Sequence, residues 1–464
     1  MKKRLLSPEW ATDKYIYLML AVFPLWTGFQ GYANITFSKF MFFAVTGGLW
    51  LLWITAAAFY RWERPAISKC GWAVLALMGI ACLSAVFSPY GADVIIGVGR
   101  YDGLVSLLLY GCIFLGVSAY ARPKPGYSAA LAFSVSVCCV VSLFQLLGQN
   151  PLSLFPGSLN YFDHGIKYSS EFLGNIGNVD VFAALLCVAV PIFFGEYLCR
   201  EGKKYALFLL PAVLGEFVAL ESGVASAKLG LAASLVISVI VLANRKRLKK
   251  LAVVILAAAL AAGLSGAVHF TAGGVVFGKA EVQAADSAPS AQTSTMSEIK
   301  ELLHGHFEDS YGSGRIGIWR QCLEVYPQHA IIGGGPGTVA DRIEINYSRY
   351  VSQTGRTLKT SVDNAHNEYL GYLMDEGILG LGAYLAMAVM TLIIWIKRRG
   401  EPQAALGCGM IGYWVQSFFG IGLCLVLPVI WLIWGLMWPA ENKKETSDDK
   451  RNLRRADKRH PGKS

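Results

Sequence analysis

Charge is what this sequence has least of. Only 16% of its 464 residues are Asp, Glu, Lys or Arg, against roughly 25% in an ordinary soluble domain. That shortage excludes a chain made mainly of soluble domains, whose surfaces it could not cover. Cysteine gives no framework either. Nine of the ten lie in or beside apolar stretches, only Cys322 falls in a long polar segment, and no CxxC pair occurs, so neither a disulfide scaffold nor a zinc ribbon is built here. The glycine run Gly333-Gly334-Gly335-Pro336-Gly337 has no Lys-Ser/Thr after it, which argues for a tight loop and against a P-loop. His304 and His306 make an HxH pair without a nearby third ligand, too little for a metal site. The net charge of +10 does not indicate nucleic acid. Nine Lys and Arg sit in the last 22 residues, on a polar tail without aromatics, as expected of a solvated tail near anionic lipid.

Long apolar runs are what the chain does have. They fall at 15–33, 38–60, 71–88, 104–121, 127–147, 179–198, 205–221, 226–243, 251–271, 377–396, 403–422 and 424–438. Runs of this length can cross the hydrocarbon layer as helices. The expected fold is therefore an all-α polytopic membrane protein with about twelve transmembrane helices. The first run lacks a small-residue cleavage site and reads as an uncleaved helix. Lys and Arg alternate in density along the chain. With the N-terminus placed inside, 29 of the 41 fall on the cytoplasmic side, so both termini are expected in the cytoplasm of a multi-pass inner-membrane protein.

Two outer segments follow from that orientation, 148–178 and the long loop 272–366. The loop opens on an Ala-, Ser- and Thr-rich tether. A capping box, Thr295 to Glu298, then predicts a surface helix. A second helix is predicted over about 314–326, ending before Pro327. Arg315 and Trp319 lie one turn apart on it and share a face, with Ile316 and Leu323 as apolar neighbours. An arginine on such a helix offers a rigid fork to phosphate oxygens. Lys228, just inside the eighth run, is either a snorkelling residue paired with Glu221 or a fixed cation facing an outward cavity. Arg100 precedes the fourth run on the same side. His366 and Asn367 stand where the loop meets the tenth run, with Gly377 and Gly380 suited to close packing. A neutral imidazole there could take a proton from a hydroxyl.

These residues resemble the O-antigen ligase and polymerase superfamily of bacterial envelope glycan transferases. His366, Asn367, Gly377 and Gly380 match its His-Asn-x9-Gly-x-x-Gly pattern, and Arg315, Trp319, Pro327 and Gly333 to Gly337 match its upstream pattern. The resemblance covers about 213–395. It implies N-terminal helices over 1–212, a ligase-related domain over 213–395, C-terminal helices over 396–440 and a basic tail over 441–464. It also implies a GT-C-like, metal-independent glycosyltransferase without cofactor. The donor is a glycan on a polyprenyl diphosphate, the acceptor a glycan, lipid or protein hydroxyl. His366 would be the base or acceptor-positioning group. Arg315 and Lys228 would clamp the diphosphate, with Arg100, Asn367, Trp319 and Arg320 in substrate binding. One departure stands out. The family commonly has Ser-Arg-Gly where this chain has Ala227-Lys228-Leu229, so a point charge replaces a bidentate fork, and Arg100 is the candidate compensator. The motif favours a ligase over a polymerase or a protein O-oligosaccharyltransferase. A transporter is disfavoured because the long loop faces outward and the two halves do not match.

Overall fold

The computed structural model describes residues 7–61, 65–147, 149–154, 174–271, 304, 314–343, 346–351 and 356–440. The basic tail, the tether and the surface helix expected behind Thr295 lie outside the described residues.

Every apolar run carries a helix: α1 (Pro8–Ala21), α2 (Ile35–Arg61), α3 (Lys69–Phe87), α4 (Leu104–Tyr120), α5 (Pro125–Leu146), α6 (Val179–Cys199), α7 (Leu209–Glu221), α8 (Ala225–Leu242) and α9 (Leu248–Thr271). After the long loop's α10 (Arg315–Val325) come α11 (Glu368–Lys397), α12 (Ala404–Ser417) and α13 (Leu427–Leu436). Among the described residues seven spans, on α2, α3, α5, α6, α8, α9 and α11, are long and apolar enough to cross a membrane. Side chains such as Leu52, Leu210, Ile240 and Leu256 stay about 70% exposed, a surface that hydrocarbon covers and water does not.

Four details differ from the expectation. The first run does not make a helix over 15–33. Ser7 caps α1 at Trp10 N–H, so the helix starts earlier, and Pro24 and the positive-φ glycines Gly28 and Gly31 end it sooner. The last two runs, nearly continuous in sequence, become short helices of 14 and 10 residues. They are parted by the non-helical stretch around Gly420 to Gly422. At 1.5 Å per residue each covers about 15–20 Å, less than the ~30 Å core. Their break is tolerable because it is buried in protein. The long loop contributes an antiparallel hairpin, β1 (Asn346–Val351) on β2 (Arg356–Ser361), paired from Asn346↔Ser361 to Val351↔Arg356. Finally, α10 buries Ile318 and Cys322, while Leu323 is exposed.

The bundle is centred on α6, which is apolar all round and 94% buried. Pro191 removes the N–H that would have bonded the Cys187 carbonyl four residues earlier. Gly412 of α12 packs on that carbonyl, so closely that an added Cβ would lie 2.2 Å from it. Gly409 meets the Val188 carbonyl in the same way, at 2.5 Å. Small residues thus let two backbones touch. Lys39, fully buried, donates from Nζ to the carbonyls of Phe23 (2.9 Å) and Pro24 (3.1 Å) and lies over the Phe23 ring.

The break in α11 sets the geometry of the site. Gly377 has φ 68° and ψ −168°, which L side chains adopt only with strain. The glycine-rich segment fills the gap with backbone. Ile378 N–H donates to Ala330 O (2.9 Å) and Leu379 N–H to Ile331 O (3.3 Å). In return, Gly334 and Gly335 N–H donate to the carbonyls of Met374 (3.0 Å) and Asp375 (3.1 Å). A Cβ on Gly333 would come 2.2 Å from Asp375 O, and one on Gly377 2.3 Å from Ile331 O. The glycines serve a loop that plugs a broken helix, and Gly380 lies one turn further on, against Glu376.

Candidate functional site

Three segments meet at one end of the bundle: the loop 97–103 ahead of α4, the stretch 362–367 ahead of α11, and the stretch between α12 and α13. They enclose a cavity of about 120 Å³, lined among others by Arg100, Asp102, Asp363, His366, Asn367 and Glu368.

His366 stands at this wall with φ 47°, a left-handed conformation that costs a non-glycine residue about 1–3 kcal/mol. The neighbours hold it there. Its N–H donates to Asn364 Oδ1 at 2.8 Å, and Trp319 Nε1–H donates to the Ala365 carbonyl at 3.0 Å. Trp319 is itself wedged edge-on against Phe418, 5.7 Å between ring centres. Below lies a small separate core of Ile318, Cys322, Val339, Ile343, Val362 and Met374. It fixes α10 to the start of α11. Burial pushes the His366 imidazole down to about 4, and the charges of Arg100 and Arg315 push the same way, against Asp363. His366 is therefore neutral at physiological pH.

The two arginines flank it differently. Arg100 pairs through Nε with Asp363 Oδ2, so Asp363 anchors the cation that sequence reasoning offered alone. Arg315 opens α10, half-buried, close enough to act on the charges of both His366 and Asp180 at the start of α6. Asn367 is the N-cap of α11: its Oδ1 accepts from Leu370 N–H at 3.0 Å. Its side-chain oxygen is thereby engaged by the backbone. Lys228 is exposed in the first turn of α8, and Arg320 is exposed on α10. Neither they, Arg315 nor Trp319 are among the residues lining the cavity. Glu221, the alternative partner for Lys228, accepts a hydrogen bond from Ser265 Oγ.

Sequence reasoning missed the acids. Both oxygens of the buried Glu368 accept hydroxyls, Oε1 from Tyr384 at 3.0 Å and Oε2 from Tyr413. Asp375 pairs with Arg342 and accepts Gly337 N–H at 2.9 Å. Asp102 accepts Cys424 N–H at 3.0 Å. Glu368 was legible as a carboxylate directly after the His-Asn pair; Asp102 lies some 260 residues earlier and carried no local signal. Among the described residues no group of three His, Cys, Asp or Glu side chains is arranged to hold a metal ion.

Residues 206–385 match the family model described as O-antigen ligase. No match is found among curated proteins. The matched stretch holds His366, Arg315, Lys228 and the glycine-plugged break of α11, whereas Arg100 and Asp102 come from outside it. The chain, a multi-pass membrane protein, thus carries over residues 206–385 a domain similar to the O-antigen ligase family.

Proposed function

We propose that this chain transfers a glycan from a polyprenyl diphosphate to an acceptor hydroxyl on the outer face of the cytoplasmic membrane. One observation carries the reading: within the matched domain, a neutral histidine is held at a cavity wall between the charges of Arg100 and Arg315. The Lys and Arg asymmetry of the sequence supports an outward-facing site.

As the anomeric carbon–oxygen bond breaks, negative charge builds on the departing diphosphate. Guanidinium groups already fixed in place stabilise that charge without reorganising. Arg315, at the start of α10, lies close enough for its charge to act on His366, and Arg100 is steadied by Asp363. Lys228 lies off the cavity on α8, so its part is to attract the diphosphate as a point charge. His366 positions the acceptor hydroxyl or takes its proton, and Trp319 holds the stretch that carries it. No step calls for a metal. The His-Asn-x9-Gly-x-x-Gly spacing favours the ligase form, with a lipid or protein acceptor.

The test uses purified protein in vesicles, supplied with lipid-linked glycan extracted from the native membrane. Wild type should form a new glycosidic product. His366→Ala and Arg315→Ala should each lose at least about 100-fold while inserting normally. Near-normal transfer by Arg315→Ala would remove the clamp. Glycan crossing the vesicle wall without a new bond would replace the transferase with a carrier.

A further inference from the structure

Asp102 sits on a loop built to present it. Gly97 and Gly99 have φ of 89° and 71°, and Tyr101 has φ 60° without being glycine. A Cβ on Gly103 would lie 2.5 Å from Gly97 N, so the loop closes on its own backbone. The Tyr101 ring, stacked on Phe40 at 5.0 Å, holds that conformation. Among the described residues three non-glycines have positive φ, Tyr101, Ser153 and His366. Two of the three adjoin the cavity: His366 lines it, and Tyr101 stands between the lining residues Arg100 and Asp102. Strain of this kind gathers where a fold must aim a side chain.

The hydrogen bonds separate Asp102 from the other carboxylates of the cavity. Its Oδ1 accepts Cys424 N–H at 3.0 Å and the Tyr110 hydroxyl at 3.5 Å. Its Oδ2 accepts nothing among the described residues. Both oxygens of Glu368 are taken by tyrosines and both of Asp375 by Arg342 and Gly337, while Asp363 gives its Oδ2 to the Arg100 guanidinium. Glu376 lines the cavity too, but it is only 2% exposed, and among the described residues no hydrogen bond orients it. Asp102 and Asp363 therefore each have one anchored oxygen and one that accepts nothing among the described residues, but Asp363 is tied up in an ion pair with Arg100 whereas Asp102 is held only by a backbone N–H and a hydroxyl.

We propose that Asp102 accepts the proton of the attacking hydroxyl, leaving His366 to position that hydroxyl. This rests on the transferase reading above. The hydroxyl oxygen bonds to the anomeric carbon. The bond from that carbon to the phosphate oxygen breaks, and its electron pair leaves with the lipid diphosphate. The proton ends on Asp102 Oδ2. Basicity agrees with the geometry. Burial pushes the Asp102 carboxyl up to about 8; Arg100, Cys424 N–H and Tyr110 pull it back, and Asp375 raises it further. Tyr372 of α11 also feels its charge. A base that titrates near working pH outperforms an imidazole held at about 4.

The experiment is the pH profile of transfer between pH 6 and 9, with the full chain in vesicles and lipid-linked glycan extracted from the native membrane. For wild type, kcat should climb through about 8 and level off. Asp102→Asn should lose about 100-fold in kcat, flatten the profile, and change the donor KM by no more than about twofold. Asp102→Glu should recover part of the rate with the rising limb displaced. An Asp102→Asn protein that keeps the limb overturns the proposal. So does a limb that vanishes instead in Glu376→Gln, or, should the Asn variant misfold in detergent, a limb that Asp102→Glu leaves unmoved. If wild type forms no glycosidic product at all, the transferase reading fails and takes Asp102 with it. Product from wild type with an unchanged limb in Asp102→Asn removes Asp102 alone.

Discussion

If His366 acts as proposed, a side chain whose pKa is pushed down to about 4 acts by shape and hydrogen bonding while it is neutral. Burial is the first cause of its lowered basicity and Arg100 the second. Arg100→Ala should therefore raise the His366 pKa from about 4 without returning it to 6.5, which histidine NMR across a pH series can follow. The sign for stability is fixed by the same shift. The unfolded chain binds the proton that the folded one refuses, so His366 costs stability as pH falls from 6.5 toward 4 and costs nothing above. Trp319 acts on His366 at one remove. Trp319→Phe keeps the ring against Phe418 but drops the bond to Ala365 O. That loss of about 1 kcal/mol should appear as roughly fivefold slower transfer with an unchanged donor KM. For Lys228, exposed on α8, Arg should retain more transfer than Ala. Equal rates would make it a snorkelling residue.

At the scale of elements, α11 and the glycine-rich loop are a single construction. Gly377→Ala forces a methyl to 2.3 Å from Ile331 O at φ 68°. It should lower stability by about 1–3 kcal/mol and reduce transfer by shifting the start of α11. A thermal melt equal to wild type would refute that account. The sequence placed these glycines correctly and explained them only in part. Gly333 to Gly337 read as a tight loop, and Gly377 and Gly380 as packing residues. What the spacing could not reveal is that the two groups answer each other, because backbone hydrogen bonds between segments 40 residues apart leave no mark on side-chain pattern. Long uncharged runs did each locate a helix, and Pro327 marked the end of α10. It failed where proline and glycine cut a run, as at Pro24 and around Gly420. On α10 it exposed Leu323, because Ile318 and Cys322 were the face that found a partner.

Taken whole, the molecule joins two regions whose link the sequence suggested only through Arg100. The matched domain supplies His366 and Arg315, and the N-terminal half supplies Arg100 and Asp102. The orientation can be checked directly. With native cysteines replaced, Lys228→Cys should react with a membrane-impermeant maleimide added outside intact cells, and Lys204→Cys should react only after lysis. The reverse pattern would invert the topology and remove the site from the outer face. Lys39 bears on how such a chain is made. Its two carbonyl partners lie only 15 and 16 residues earlier, so they have already been synthesised when it leaves the ribosome. An ammonium that would be costly in hydrocarbon gains two carbonyl acceptors as soon as α2 packs on the end of α1, before any later helix exists. Assembly can then proceed from the N-terminus without stranding an ammonium group among lipid tails.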